Sequence, residues 1–366
     1  MLRTSGKISS AVRAAHENPR RVLLLTPSRG LGGGIERYAE TLQSAFAARA
    51  IECLRIDLQG SGIAAHSRLV GQAHAALRGK PRGVRLVVLH VTLLPAAWLL
   101  ARDQAVSGIS VLCHGTDVWC SRARLRRRAE NYLLRKSAVR VLAMSSFTSG
   151  ALCRISPATV LPSGMSKAWF DTLVSASLAS HDQHSGVRIV TAFRLTAWEE
   201  KGLPELISAV AGLGRSDIRL TVCGSGSVPD ELSRVVRRHP WCTLRAGLSD
   251  CELAGELAAA DLFVLATRTR VGRQVSGEGF GLSLLEAQVA GTPVVGPAYG
   301  GSRDAYIDRI TGVAPLDESA EALTKTLDGL VTDPQRLGQM GKRAAAWARE
   351  CSAPEAYSQL VVAKFL

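Results

Sequence analysis

The chain has 366 residues, long for one hydrophobic core and comfortable for two domains. Apolar residues make up 46% and charged residues 21%, which excludes a disordered chain. A formal charge of +14 suits polyanionic partners (nucleic acid, an anionic membrane face, phosphorylated substrates) without choosing among them.

Residues 1–20 read as a basic tail with no long apolar stretch, so no signal peptide is expected. Residues 21–26 are a short apolar run leading into Gly32-Gly33-Gly34, and a helical pattern follows to about residue 49: strand, glycine turn, helix. The unit recurs, with strands expected at 53–58, 85–91, 110–113 and 139–144 and helices from 95 and 147. Residues 86–101 are nearly uncharged, but His90, Thr92 and Pro95 interrupt them and they fall short of the roughly 20 residues of a spanning helix. Residues 171–186 are polar and read as a connection. The pattern then restarts, with strands at 187–192, 218–223, 243–246, 262–266 and 293–296, and helices at 204–213, 250–259, 282–290 and from 320 onward.

Apolar strands alternating with helices predict an α/β chain of two doubly wound domains in tandem, 21–180 and 186–348. Residues 349–366 are expected to form a helix returning to the first domain. Ligands of such sheets bind beyond the carboxyl ends of the strands, so the site is expected in a cleft between the domains. The cysteines, Cys53, Cys113, Cys120, Cys153, Cys223, Cys242, Cys251 and Cys351, form no C-x-x-C pair. A zinc site or redox dithiol is therefore not indicated, and a reducing, cytoplasmic compartment is expected.

The strongest constellation is Gly277-Glu278-Gly279-Phe280-Gly281-Leu282-Ser283-Leu284-Leu285-Glu286-Ala287, followed by Gly291-Thr292-Pro293-Val294-Val295. The glycines allow close backbone approach, and a helix starting near Leu282 directs free N–H groups at an anion. Glu278 and Glu286 would then bind hydroxyls on either side of a diphosphate. Arg194 and Lys201-Gly202 follow a strand, where cations neutralise phosphate oxygens. Gly32-Gly33-Gly34-Ile35-Glu36-Arg37-Tyr38 could cradle a phosphate at the first strand-to-helix turn. It is not G-x-G-x-x-G, which weakens a nicotinamide reading, although Asp57 lies near the acidic position. His114-Gly115-Thr116-Asp117 ends a strand facing the cleft, whereas His181 and His184 fall in the polar connection. Each of these features alone also fits an ordinary turn or a solvated charge. Residues 122–140 hold Arg122, Arg124, Arg126, Arg127, Arg128, Arg135, Lys136 and Arg140 against one acid, Glu130, half of the chain's net charge of +14. With Leu125, Ala129, Tyr132 and Leu133 on one apolar face, this helix could lie on an anionic membrane or bind nucleic acid. Nucleic acid is disfavoured because Tyr132 is its one interleaved aromatic residue.

Together these segments resemble the retaining glycosyltransferases of the GT-B fold, family 4 (glycosyl transferases group 1), over about residues 21–345. The motifs occur in the family's order: the GGxE turn from Gly33 to Glu36, HGxD from His114 to Asp117, S-x-x-T from Ser145 to Thr148, Arg194 with Lys201-Gly202, then Glu278 and Glu286 with A-x-x-A-G-x-P-V-V behind them. The resemblance implies an acceptor domain at 21–180 and a donor domain at 186–348, each Rossmann-like. It implies that Glu286 bonds the donor ribose, that Glu278 contacts the transferred sugar, and that backbone N–H groups of Phe280, Gly281 and Leu282 touch sugar and phosphate. Arg194 and Lys201 would hold the diphosphate with help from Gly33 and Gly34, and His114 would line the sugar site. It further implies same-face attack with the leaving phosphate deprotonating the acceptor, no protein nucleophile and no metal. The donor would be a GDP- or UDP-linked hexose and the acceptor a glycoside, a lipid-linked molecule or a secondary metabolite, met at the inner membrane face. Residues 267–277, with Arg268, Arg270 and Arg273, resemble members that use GDP-mannose. Three positions depart from the pattern: Phe193 replaces the usual Gly before the Arg, Ala197-Trp198-Glu199-Glu200 lengthens the Arg-to-Lys gap by two, and Ser163 replaces the Asn of the Pro-Asn-Gly turn. The competing expectations are a nucleotide-sugar epimerase of the same fold and a non-enzymatic polyanion binder.

Overall fold

The computed structural model describes residues 21–28, 34–119, 124–179, 185–270 and 276–366. The first domain is built on β1 (Arg21–Ser28), β2 (Glu52–Gln59), β3 (Val84–Val88), β4 (Val106–Cys113), β5 (Val139–Ala143) and β6 (Thr159–Val160). They form one parallel sheet in the order β2-β1-β3-β4-β5-β6. The second is built on β7 (Val187–Arg194), β8 (Ile218–Ser225), β9 (Cys242–Ala246), β10 (Leu262–Val264), β11 (Val294–Val295) and β12 (Gly312–Val313). Its parallel order is β12-β11-β10-β7-β8-β9, the Rossmann order. The strand order reverses between β1 and β3 in one sheet and between β7 and β10 in the other, so each sheet has its ligand crevice beside its own first strand.

Both faces of each sheet are covered, which is why the strands read as continuous apolar runs rather than alternating ones. Leu24, Leu112 and Leu142 are buried on one face of the first sheet, and Leu23, Leu25, Leu86, Val88 and Val111 on the other. The core is in three parts. One part is confined to the first domain, one to the second, and the third runs continuously between them through Tyr38, Trp169, Phe263, Leu284, Tyr357 and Phe365.

The structure differs from the sequence reading in one element and agrees with it in the uncharged stretch 86–101. Residues 171–186, expected as a connection, are largely the helix Lys167–Ala179, which packs on the helix Asp250–Ala258 of the second domain. Trp169 and Leu173 are its buried residues, too few to impose a helical apolar period on a Ser- and Ala-rich stretch. His181 and His184 lie outside the described residues. The uncharged stretch 86–101 divides into β3, the short 3-10 turn Val91–Leu93 and the helix Leu94–Leu100. Among the described residues no helix is long and apolar enough to cross a membrane.

The helix Pro354–Phe365 lies against the first domain. Ser110 Oγ donates to the Phe365 carbonyl (2.6 Å), Arg140 to that of Lys364 (3.0 Å) and Arg85 to that of Leu366 (3.1 Å). These satisfy carbonyls that the end of any helix leaves open. Phe365 meets Phe46 edge to face at 6.1 Å, and the buried hydroxyls of Tyr38 and Tyr357 lie 2.8 Å apart. The seven cysteines among the described residues are free.

Candidate active site

The loop holding Glu278 enters the cleft beside β10, and the helix Leu282–Val289 follows with Gly281 as its N-cap. Phe280 is buried, which anchors the loop, while Leu282 and Ser283 in the first turn stay partly open. Their amides are among the donors that no intrahelical carbonyl can satisfy. Glycine at 279 has a different cause from the ligand approach expected of it. A Cβ there would stand 1.8 Å from the His114 carbonyl oxygen of the first domain. The two domains touch backbone to backbone at this point.

Glu278 is drawn toward its own domain. One carboxylate oxygen accepts from Lys201 Nζ (2.9 Å) and from Thr267 Oγ1 (3.0 Å). Lys201 reaches it because Gly202 is left-handed (φ 71°) and presses against the Ala266 carbonyl, where a Cβ would come within 1.9 Å. The two-residue lengthening before Lys201 is taken up by the 3-10 turn Leu195–Ala197 and the turn after it, so the ammonium still arrives at the cleft. Arg194 ends β7 at the crevice of the second sheet. Its Nε is buried and has no hydrogen-bond partner among the described residues.

Glu286 sits one turn inside its helix and is 7% exposed. Its Oε1 accepts from Trp169 Nε1 (2.9 Å) and lies 3.5 Å from Arg37 Nη1. Burial pushes its pKa up, and Arg37 and Trp169 pull the other way. Arg37 reaches across from the helix Gly34–Ala47, also holds Asp250 at 2.5 Å, and stacks its guanidinium over the Trp169 ring at 4.8 Å. Neither Arg37 nor Trp169 was among the expected site residues. Arg37 directly follows the GGxE turn, and Trp169 lies just before the stretch read as a polar connection.

In the first domain, Gly34 opens the helix Gly34–Ala47, and a Cβ there would meet nothing within 4 Å. Gly33 lies outside the described residues, as do Gly32, Arg122 and Arg273. His114 directly follows β4, its backbone N–H and that of Gly115 both bonded to Asp117 Oδ1 (2.9 and 2.8 Å). Its ring bonds to the Leu89 carbonyl, and Nε2 is buried without a partner among the described residues. Donation to a carbonyl requires Nδ1–H, so in the neutral ring Nε2 carries a lone pair able to accept from a hydroxyl. Burial depresses the pKa and so favours that neutral ring. Trp119 meets Phe147 edge to face at 5.0 Å beside His114 and lies over Gly115 and Gly277. Across the cleft Asp304 caps the helix Ser146–Leu152, accepting from Ser146 N and Oγ at 2.6 Å each.

The basic helix Arg124–Leu134 spends part of its charge internally. Arg127 binds the carbonyls of Asp117 and Val118, Arg126 pairs with buried Glu130 at 3.2 Å, and Arg135 bonds to the Ile155 carbonyl. The expected apolar face divides, because Leu133 is buried in the first-domain core whereas Leu125 and Tyr132 are 80% and 60% exposed. Leu125, Ala129 and Tyr132 form the outward stripe, with Arg128 exposed beside it. Arg268, in the loop that resembles GDP-mannose users, pairs with Glu205.

Comparison with known proteins agrees with this geometry. Residues 188–347 match the family model for glycosyl transferases group 1. Over 155 residues the chain is 34% identical to a GDP-mannose-dependent alpha-(1-6)-phosphatidylinositol monomannoside mannosyltransferase of Mycolicibacterium smegmatis, an alignment spanning about 40% of each chain. Two solved structures match nearly end to end. One is sucrose-phosphate synthase of Thermosynechococcus elongatus, with TM-score 0.74 and 21% identity, covering 93% of this chain and 97% of that one. The other is Anabaena HepE in complex with UDP, with TM-score 0.70 and 17% identity, covering 94% and 98%. The fold is that of the GT-B glycosyltransferases, and residues 188–347 are similar to the glycosyl transferases group 1 family.

Proposed function

We propose that the chain is a retaining glycosyltransferase that moves a hexose, mannose first among the candidates, from a nucleoside diphosphate sugar to a glycoside or lipid-linked acceptor. The observation that carries this reading is the cleft itself. A helix N-terminus flanked by Glu278 and Glu286 stands with Arg194 and Lys201 on one wall, and His114 and Gly34 belong to the other domain. Arg194, Lys201 and the first-turn amides of the helix Leu282–Val289 would neutralise the leaving diphosphate in place of a metal. The freed phosphate oxygen would take the acceptor proton as the acceptor attacks on the same face. Glu286 would hold the ribose, Glu278 the transferred sugar once Lys201 turns to phosphate, and His114 Nε2 a sugar hydroxyl. The name of the Mycolicibacterium relative supports GDP-mannose and a lipid-linked acceptor. The exposed Leu125–Tyr132 stripe beside Arg128 supports a cytoplasmic protein working at an anionic membrane face.

A thermal-shift screen against UDP, GDP, ADP and dTDP tests the donor class, since a ligand bound only by the folded state raises the melting point. Glu286→Ala is expected to abolish nucleotide-sugar turnover at an unchanged fold. Unaltered turnover would refute the assignment, and a 2-epimer formed without acceptor would replace transfer by epimerisation.

A further inference from the structure

Glu286 presents an asymmetric carboxylate. Both of its side-chain partners converge on Oε1: the Trp169 indole at 2.9 Å and the Arg37 guanidinium at 3.5 Å. Among the described residues no side chain or backbone N–H bonds to Oε2. The partners come from two places, Trp169 from the helix Lys167–Ala179 and Arg37 from the first helix of the opposite domain. They also fix each other, because Arg37 Cζ sits over the Trp169 ring at 4.8 Å while its second nitrogen is tied to Asp250 at 2.5 Å. Trp169 has little freedom, being 7% exposed within the core that joins the domains. A carboxylate on a helix surface would otherwise rotate about its terminal bond among several settings. Here an N–H donor and a cation select one.

We propose that Trp169 and Arg37 are positioning residues for the donor site: they occupy Oε1 of Glu286 and leave Oε2 free for the ribose hydroxyls of a nucleoside diphosphate. The inference rests on the donor reading above and deepens it. Because Arg37 belongs to the domain opposite Glu286, it also makes ribose recognition a property of the closed cleft rather than of the second domain alone. Burial pushes the Glu286 pKa up, and the same two contacts oppose that rise.

The test is a ligand-side cycle on the full chain. Dissociation constants of GDP and UDP and of their 2′,3′-dideoxy counterparts are measured for the wild type, for Trp169→Phe and for Arg37→Met. Trp169→Phe removes the indole N–H and keeps an aromatic ring in the core. Arg37 is one-third exposed, so Arg37→Met remains informative even where the tryptophan variant folds poorly. A hydroxyl bonded to an oriented carboxylate is worth about ten-fold or more in affinity, so the wild type should prefer the ribonucleotide by that factor. In each variant the preference should shrink toward unity while the dideoxy compound binds nearly as before. A structural role would weaken both compounds alike. Equal loss for both, or an undiminished preference, overturns the positioning roles and leaves the donor reading standing. Failure of the wild type to bind either nucleotide overturns the donor reading and this inference with it.

Discussion

At the scale of single residues, the cleft is defined by atoms that leave no room for exchange. Gly279 packs against the His114 carbonyl, so Gly279→Ala must push the domains apart or bend the loop. A cost of about 1–3 kcal/mol in stability is expected from overpacking of this kind, together with loss of turnover. A melting curve and a donor assay on the variant check both. His114 supplies a pH dependence with a definite sign. Its pKa lies below the ordinary 6.5, so the unfolded chain binds the proton more readily than the folded one. Its contribution to stability is therefore complete above pH 6.5 and declines as the pH falls toward the depressed folded value. Melting points across pH 5 to 8 should show that slope in the wild type and a weaker one in His114→Gln. Glu278 and Glu286 were legible because their spacing about a glycine loop is itself a pattern. Arg37 and Trp169 were not, because a cross-domain contact between residues separated by 249 and 117 positions from Glu286 leaves no local signature.

At the scale of elements, helix ends and faces carry the information. Strands and most helices were readable because buried parallel strands are continuous apolar runs. The helix Lys167–Ala179 was not, since a helix clamped by two large residues shows no period to read. The helix Ser146–Leu152 receives its N-terminal cap from Asp304 of the other domain in addition to its own Ser145. Asp304→Ala removes a negative charge and two hydrogen bonds from that helix start, and a loss of about 1 kcal/mol is expected. Because the cap spans the cleft, small-angle scattering should also report a wider distribution of domain separations in this variant. The helix Arg124–Leu134 shows how a face is misread from sequence alone. Leu133 turns inward to the core, so only Leu125, Ala129 and Tyr132 face out. Leu125→Glu with Tyr132→Glu should abolish flotation with anionic liposomes at low salt and leave the melting point within about 0.5 kcal/mol of the wild type. High salt should weaken flotation of the wild type itself.

At the scale of the whole molecule, the two sheets do not behave as beads on a string. One of the three core clusters runs through both domains, so their relative placement is held by buried apolar contact as well as by Arg37 and Asp304. The two-domain α/β layout was legible because the strand–turn–helix unit restarts after the polar stretch. The depth of the shared core was not, since no window of sequence reports which of two domains a leucine will touch. Removal of residues 354–366 would uncover Phe46, Tyr38 and Ser110 of β4. That variant should be recovered, if at all, as aggregated protein, whereas Tyr357→Phe, which loses the hydroxyl pair with Tyr38 and the hydrogen bond to the Pro162 carbonyl, should fold and melt a few degrees lower.

The placement of that last helix has a consequence for synthesis. The first domain's sheet is finished once Val160 has been made, yet one of its walls is supplied by the helix Pro354–Phe365, which follows the second domain. A nascent chain therefore carries the first sheet with its Phe46 face open through the making of the entire second domain. Domains emerging from the ribosome ordinarily close in order, the earlier before the later. In this chain the order is inverted at the last step: the earlier domain is sealed only after the later one is complete, and the seal and the cleft form together.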